Sequence, residues 1–271
     1  MSTNTQYMDC LSELIRSNRA TSPRGMLTFE LLNDIFTCEM VEPAITITTR
    51  KLNYHFMMAE AWWILTGSNK LSDLVPYMRT YENYSDDGRT LYGAYGPSFV
   101  EQVDSVVDKL LKDSDTRQAV MTFWIKNPKP SKDIPCTIGA QFMIRDNYLD
   151  MTVMMRSQDA WKGLPYDIFS FSMMAQYVKL EMYARMGMYC PLGKLTIFAG
   201  SRHLYNDDRH KVFQILDKTV HWNQYPIHLL GYNKPECLLN DLCDARNGLL
   251  SAPYCELQQF INTYANNKSS K

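Results

Sequence analysis

Apolar side chains recur at helical spacing along much of the chain and predict several helices. One segment, residues 53–67, is apolar on almost every side, which is typical of a buried helix. Another segment, residues 168–187, is long, apolar over much of its surface and ends at a glycine, so we predict a central helix there. The predicted helices are 1–18, 53–67, 98–113, 168–187 and 208–218.

Shorter runs rich in β-branched and aromatic residues predict strands between these helices. The clearest pair flanks Asp146 and Asn147, whose position between two apolar runs indicates a hairpin turn. The predicted strands are 27–36, 44–50, 117–125, the hairpin within 137–157, and 193–201. Because strands and helices do not alternate strictly, we predict one α+β domain over residues 1–271, with a mixed sheet packed against helices.

Composition narrows the classes of function. The formal net charge is −1 and no long basic block is present, which disfavours binding to a nucleic-acid polymer. The first helix lacks the pattern of a signal peptide, and the apolar run 56–67 is short for a membrane span and contains Glu60. Seven cysteines without a Cys-x-x-Cys pair indicate reduced thiols rather than disulfides or a zinc site. We therefore expect a cytoplasmic protein without membrane contact or metal.

Two residues stand out as candidates for covalent and acid–base chemistry. Cys136 follows a proline at the entry to a predicted strand, where a thiolate can act as a nucleophile if arginines lower its pKa. A small buried core residue is the ordinary alternative. Glu60 lies in an apolar, tryptophan-containing helix, where a raised pKa suits proton transfer. A solvent-facing helix acid explains it equally well.

Arginines and neighbouring polar residues suggest an anion site. Arg24, Arg117 and Arg156 each lie beside a predicted strand, and Ser157 adds a hydroxyl next to the last of them. Solvated surface arginines are the common alternative. His203 and Tyr205 alternate on one face of an extended segment, so that they either bind a sugar hydroxyl or form a structural pair.

Taken in chain order, these features resemble the thymidylate synthase family. The pattern comprises an early Arg, a Glu in a Trp-rich helix, Tyr-Gly, Asp-x-Arg, Pro-Cys, Arg-Ser-x-Asp, Gly-x-Pro-aromatic and His-x-Tyr. It extends over residues 24–205, and the segment RSQDAWKGLPYDIFSF matches the most distinctive segment of the family almost residue for residue. The resemblance implies a homodimer in which one face of the sheet forms the interface.

The resemblance also implies roles for individual residues. Cys136 is expected to add to C6 of a pyrimidine nucleotide, Glu60 to organise proton transfers through water, and Tyr95 to assist removal of the C5 proton. The expected nucleotide contacts are Arg24, Arg156, Ser157 and a partner-donated Arg117 on the 5′-phosphate, with His203 and Tyr205 on the deoxyribose 3′-hydroxyl. The co-substrate is expected to be 5,10-methylenetetrahydrofolate, near Asp159, Tyr81, Tyr84 and Gly163.

Asp167 predicts which base the protein accepts. Members of the family that act on dUMP carry an asparagine at this position, whose amide both donates and accepts, as O4 and N3–H of uracil require. An ionised carboxylate only accepts, so it suits the N4 amino group of cytosine and a protonated N3. Asp167 therefore predicts a cytidylate substrate, and the deoxycytidylate hydroxymethylase branch of the family shares this aspartate.

Several departures from the synthase pattern bear on the product. Thr137 replaces a histidine after the nucleophile, and Gly200-Ser201 replaces Gly-Asp, as in the hydroxymethylases. Tyrosines at the positions of the folate-site tryptophans and the polar ending INTYANNKSSK favour a wetter site. Gln118, where a second arginine is common, weakens the expected phosphate contact across the dimer.

These observations predict a homodimeric, folate-dependent dCMP hydroxymethylase, with a phage that modifies its DNA precursors as the expected source. A dCMP 5-methyltransferase, which would end in hydride transfer, and a thymidylate synthase acting on dUMP are the alternatives. A catalytically idle relative that binds nucleotide or RNA as a regulator is a hypothesis of another class. The choice between ribose and deoxyribose stays open.

Overall fold

One mixed β-sheet runs through the computed structural model, which describes residues 1–217, 225–229, 231–249 and 255–265. Within these residues the sheet order is β1-β2-β7-β5-β4-β3, and β6 pairs with β7. The β5–β7 and β6–β7 pairs are parallel and the others are antiparallel. The strands are β1 (Ala20–Thr21), β2 (Thr28–Glu39), β3 (Val120–Thr122), β4 (Thr137–Arg145), β5 (Tyr148–Met155), β6 (Gln158–Asp159) and β7 (Leu192–Tyr205).

Helices cover one side of this sheet and pack on one another. Helix α2 packs against α3, α4 and α6, and α4 also contacts β5 and β7. The helices are α1 (Thr3–Arg16), α2 (Tyr54–Leu65), α3 (Tyr95–Lys112), α4 (Leu164–Met186), α5 (Asn206–Leu216), α6 (Pro235–Arg246) and α7 (Glu256–Tyr264). The predicted α+β class, with a mixed sheet packed against helices, is confirmed.

Local sequence signals explain most of these boundaries. The Asn53 side chain accepts a hydrogen bond from the backbone N–H of Phe56 and so caps α2. Gly187 ends α4 in the left-handed region at φ 64°. Asp146 and Asn147 both have positive φ, 51° and 66°, which is the conformation of the hairpin turn that their position predicts.

The strand predicted over 44–50 is wrong. Residues 48–50 form a 3-10 turn, and the preceding apolar residues are buried without a strand partner among the residues that the structure describes. Side chains satisfy this backbone instead: Asn4 accepts from the N–H of Thr46 at 2.8 Å, and the Tyr54 hydroxyl donates to the carbonyl of Ile45 at 2.9 Å. The alternation of β-branched residues therefore reflects burial, not pairing.

Other predictions are confirmed with adjusted limits. The strand expected over 117–125 is reduced to β3, and helices α6 and α7 have no counterpart among the predicted elements. The single domain over 1–271 stays a prediction, and the last part of the polar ending, residues 266–271, lies outside the described residues.

The two faces of the sheet differ in their surroundings. Phe142, Val153 and Ile197 point to the helical side and are fully buried. The opposite face leaves Ile35 at 63% and Met154 at 50% exposure. Burying apolar area is the main favourable contribution to folding and association, so this open apolar face is a candidate interface.

Candidate active site

Segments at one end of the sheet bring the candidate residues together. Cys136 immediately precedes β4 and Arg156 immediately follows β5, and the Arg156 N–H donates to the Cys136 carbonyl at 2.9 Å. Asp167 lies in the first turn of α4, and Glu60 lies in α2, which packs against α4. The chain thus gathers a thiol, a guanidinium and two carboxyls from four separate segments.

Arg156 is fixed beside the thiol. Its Nε donates to the Pro135 carbonyl at 2.8 Å, one Nη2 bond reaches the Ile134 carbonyl at 2.9 Å, and the same nitrogen lies 3.7 Å from Cys136 Sγ. Burial nevertheless raises the pKa of Cys136, and the positive charges of Arg156 and Arg24 offset this only in part. The arginines thus favour the thiolate, as expected, but burial has the larger effect on the pKa of Cys136 in the free protein.

Tyr95 lies at the start of α3, next to the nucleophile candidate. Its hydroxyl oxygen accepts the backbone N–H of Thr137 at 3.2 Å, and its ring packs on Phe123 with centroids 5.3 Å apart. Burial raises the pKa of Tyr95, and the nearby Cys136 and Asp167 raise it further. The phenol therefore stays protonated and can still donate one hydrogen bond into the site.

Glu60 has two hydroxyl donors. Tyr81 donates to Oε1 at 2.7 Å and Ser170 to Oε2 at 3.4 Å. Burial raises the pKa of Glu60 to about 7, and the two hydrogen bonds lower it only partly. A carboxyl group that titrates near neutrality is suited to accept and return a proton at neutral pH.

Asp167 is held from two directions in the first turn of α4. Gln158 Nε2 donates to its Oδ2 at 3.2 Å, and its backbone N–H donates to the Gly163 carbonyl at 2.9 Å. Burial, and then the negative charge of Glu60, raise the pKa of Asp167 to about 7. A Cβ at Gly163 would lie only 3.3 Å from Asp167 Oδ2, so glycine gives this carboxylate room.

Ser157, His203 and Tyr205 lie together at the end of β7. Ser157 Oγ is 3.4 Å from His203 Nδ1, and the His203 and Tyr205 rings meet edge to face with centroids 5.2 Å apart. Burial lowers the pKa of His203, so the imidazole is neutral at pH 7 and offers a donor and an acceptor. This group suits a sugar hydroxyl.

Asp159 begins the turn that leads into α4. Its Oδ1 accepts the backbone N–H groups of Trp161 and Lys162, both at 2.8 Å. Among the described residues Oδ2 has no hydrogen-bond donor, so it can accept from a ligand N–H. Burial raises the pKa of Asp159.

Tyr81 and Tyr84 form an aromatic wall near Glu60. Their rings meet edge to face with centroids 5.9 Å apart, and Tyr84 is close enough to Lys162 to affect its pKa. The Lys162 ammonium lies 4.8 Å from the Tyr205 ring. The wall, the neighbouring Gly163 turn and the Asp159 carboxylate thus offer stacking surfaces and an acceptor, which fits a flat heterocycle such as the pterin of a folate.

The two remaining arginines behave differently. Arg24 is exposed in a short turn with φ 54°, and it is close enough for its charge to lower the pKa values of Cys136 and His203. Arg117 is exposed just before β3, and only its carbonyl, which accepts from Gln141, has a hydrogen bond in the described structure. The chain itself does not bring Arg117 to this cluster.

Sequence reasoning missed two buried polar residues behind the cluster. Arg202 is fully buried in β7, and Gln158 in β6 contacts it. A signal existed: Arg202 lies two residues before the inward-facing Leu204, so the alternation of β7 predicts an inward charge.

Among the described residues no group of three or more metal-ligating side chains is present, and no helix is long and apolar enough to cross a membrane. The cytoplasmic location stays a prediction.

Comparison with known proteins matches the thymidylate synthase family model to residues 5–238. The chain belongs to the thymidylate synthase family. The thymidylate synthase of Enterobacteria phage T4 is 27% identical over 78% of this chain and 80% of its own length. The deoxyuridylate hydroxymethyltransferase of Bacillus phage SP01 is 27% identical over 95% of this chain and 70% of its own. That of Pseudomonas phage M6 is 30% identical over 62% and 49%.

Membership confirms the resemblance seen in the sequence. The chain is a one-carbon transferase, and its family binds a pyrimidine nucleotide and uses methylenetetrahydrofolate as co-substrate. The individual roles of the cluster residues stay predictions.

Proposed function

We propose that this thymidylate synthase family member is a dCMP hydroxymethylase. It converts dCMP, 5,10-methylenetetrahydrofolate and water into 5-hydroxymethyl-dCMP and tetrahydrofolate. The observation that supports this choice most directly is the carboxyl group of Asp167, held by Gln158 in the same cluster as Cys136 and Glu60.

The Asp167 carboxylate discriminates between bases because it has no hydrogen-bond donor. Gln158 occupies Oδ2 of Asp167, which leaves Oδ1 to accept the N4 amino group of cytosine. The O4 atom of uracil would face a second acceptor in a desolvated site. Leaving such a group unpaired costs roughly 1–3 kcal/mol, or more for a charged one.

The chemical step rests on residues of the chain. Cys136 Sγ gives up its proton and bonds to C6, so that C5 gains carbanion character and bonds to the methylene carbon of the folate. Loss of the C5 proton then expels tetrahydrofolate from that carbon, water adds to the resulting exocyclic methylene, and the Sγ–C6 bond breaks to return the thiol. Tyr95 assists loss of the C5 proton, and Glu60, with a pKa of about 7, passes protons through water. Arg24 and Arg156 bind the 5′-phosphate and hold the base against the thiol.

Water, rather than hydride, completes the reaction in this proposal. The Tyr81 hydroxyl donates to Glu60, so the pocket wall is polar beside the acid proposed to handle water. Hydroxymethyltransferases among the relatives support this outcome, although their names specify deoxyuridylate. Asp167 is the reason for proposing the cytosine nucleotide here. Hydride transfer to give 5-methyl-dCMP, or the use of dUMP, are the alternatives.

Two copies of the chain form the working enzyme. The open apolar sheet face, with Ile35, Ile138 and Met154 exposed, supports a dimer through this face. In the dimer Arg117 of the partner subunit completes the phosphate site, which is consistent with its exposed position away from its own subunit's cluster.

The decisive experiment incubates the enzyme with methylenetetrahydrofolate and, separately, dCMP, CMP or dUMP. Mass analysis of the base then identifies the product. A gain of one CH2O unit on dCMP is expected. A gain of CH2 identifies the methyltransferase, a product from dUMP alone overturns the base assignment, and absence of C5-hydrogen exchange with all three nucleotides supports the regulator.

A further inference from the structure

Behind Asp167 a series of hydrogen-bonded polar groups, with Gln158 and Arg202 buried, leads into the sheet. Gln158 is 2% exposed and Arg202 is 0% exposed. The Arg202 guanidinium donates to Asp34 through Nε, to the carbonyl of Ile197 through Nη2 at 3.1 Å, and to Gln158 Oε1 through Nη1. Hydrogen bonds thus connect Asp34 to Arg202, Arg202 to Gln158, and Gln158 to Asp167 without a break.

This series of hydrogen bonds permits only one orientation of the Gln158 amide. A guanidinium has donors and no acceptor, so the oxygen of the amide must face Arg202. The NH2 group is then directed at Asp167 Oδ2, 3.2 Å away, and at Met155 Sδ, 3.3 Å away. A flipped amide would place donors against donors and an oxygen against a carboxylate, both in a buried setting.

We propose that Gln158 is a positioning residue that sets base specificity, because Arg202 fixes its amide and the amide in turn orients Asp167 as an acceptor. This inference rests on the proposed function for the identity of the base. With Oδ2 held by Gln158, Oδ1 remains to accept from the ligand, and the carboxylate cannot rotate away without losing this hydrogen bond.

Electrostatics agrees with this geometry. The Gln158 hydrogen bond and the Arg202 charge lower the pKa of Asp167, and they oppose burial and the charges of Glu60 and Asp159. The titratable and charged groups around Asp167 are Glu60, Tyr81, Tyr95, Cys136, Asp159 and Arg202. Removing the amide donor therefore makes Asp167 easier to protonate, and a protonated acid donates to O4 of uracil as asparagine does.

Gln158→Glu tests the proposal while keeping an acceptor for Arg202. Since Arg202 keeps the introduced carboxylate ionised, the proton that two adjacent carboxyls share resides on Asp167. The ratio of kcat/KM for dCMP to that for dUMP should fall roughly 10- to 100-fold at neutral pH. The pH below which dCMP affinity falls (the acid limb of dCMP binding), measured by calorimetry, should move upward by about one pH unit or more.

Two further variants separate positioning from folding. Gln158→Met removes both amide groups, so it should lower the ratio and also the melting temperature, because Arg202 loses an acceptor. Gln214→Glu makes the same chemical change at an exposed site on α5 and should alter neither quantity.

The outcomes distinguish this inference from the proposed function. If the wild type prefers dCMP and Gln158→Glu changes neither the ratio nor the acid limb, Gln158 does not position Asp167, although the enzyme is still a dCMP enzyme. A fall in the ratio that follows the melting temperature across both variants also overturns the inference. If the wild type prefers dUMP, the base assignment fails. Because O4 of uracil accepts from the protonated acid, an upward-shifted alkaline limb of dUMP binding in Gln158→Glu then still supports positioning, and an unshifted alkaline limb refutes it.

Discussion

Asp167→Asn perturbs the site with almost no change in shape, and the structure specifies how the new amide must sit. Gln158 presents a donor to this position, so the asparagine turns its oxygen toward Gln158 and its NH2 toward the ligand. A donor in that place matches O4 of uracil and faces the amino group of cytosine unfavourably. We expect the preference to move from dCMP to dUMP by roughly 10- to 1,000-fold in the ratio of kcat/KM.

The same substitution should stabilise the free protein at neutral and alkaline pH. The pKa of Asp167 rises from 3.8 to about 7, and each pKa unit corresponds to about 1.4 kcal/mol, which gives an upper bound of about 4 kcal/mol. Part of this pKa shift depends on the charge of Glu60, and Asp167 is only half-buried by its solvent-accessible surface. After allowing for this screening, we expect a gain of about 1–3 kcal/mol.

The sign of the pH dependence follows from proton binding. Between about pH 4 and pH 7 the folded state holds the Asp167 proton more tightly than the unfolded state. The free energy of unfolding of the wild type therefore falls as pH rises through this window and levels off above it. The gain in Asp167→Asn should be near zero at about pH 4 and largest above about pH 7.

Urea denaturation of both proteins at several pH values measures this difference, and steady-state kinetics with both nucleotides measures the preference. Equal pH slopes for the two proteins would show that the carboxyl is not desolvated as described. An unchanged dCMP preference would refute its role in reading the base.

Three further predictions concern the thiol and the helix acid. Cys136→Ala should abolish turnover while dCMP binding persists in calorimetry, and any retained turnover removes it as the nucleophile. Glu60→Gln should lower kcat by roughly 100- to 10,000-fold with little change in nucleotide affinity, so a pure loss of affinity contradicts its proton-transfer role. Iodoacetamide should modify Cys136 slowly at about pH 7.5 and faster above the ordinary cysteine pKa of 9.0, because burial raises the pKa of this thiol. Modification of the other cysteines, measured in Cys136→Ala, is subtracted. Fast modification of Cys136 at neutral pH would contradict this prediction.

The elements that sequence predicted well depend on local signals. Helix α4 has its apolar surface and a terminal Gly187 within one segment, and the β4–β5 hairpin has Asp146 and Asn147 at its turn. The failure at 44–50 has a distant cause, since Asn4 and Tyr54 provide the hydrogen bonds that a strand neighbour would otherwise supply. Such contacts cannot be inferred from periodicity.

The candidate site also divides into features that local sequence predicts and contacts that only the fold creates. The motifs around Cys136, Arg156 and Asp167 were recognisable because their residue types follow one another in a distinctive order. The contact between Gln158 and Arg202 joins residues 44 positions apart and exists only because β6 pairs with β7. Sequence reasoning named Asp167, the proposed base contact, but not Gln158 and Arg202, which lie behind it.

The state of the thiol connects these observations. Sequence alone suggested that arginines hold Cys136 as a thiolate, but burial outweighs them and the charges of Asp167 and Asp133 act in the same direction as burial. A phosphate bound by Arg24 and Arg156 would weaken their effect further. We therefore infer that the thiol loses its proton only as the ring accepts one, with N3 of cytosine as the acceptor and Asp167 as the group that stabilises the protonated ring. Under the proposed function the residue that selects the base would also activate it, and this would account for a desolvated carboxylate at a cost in stability.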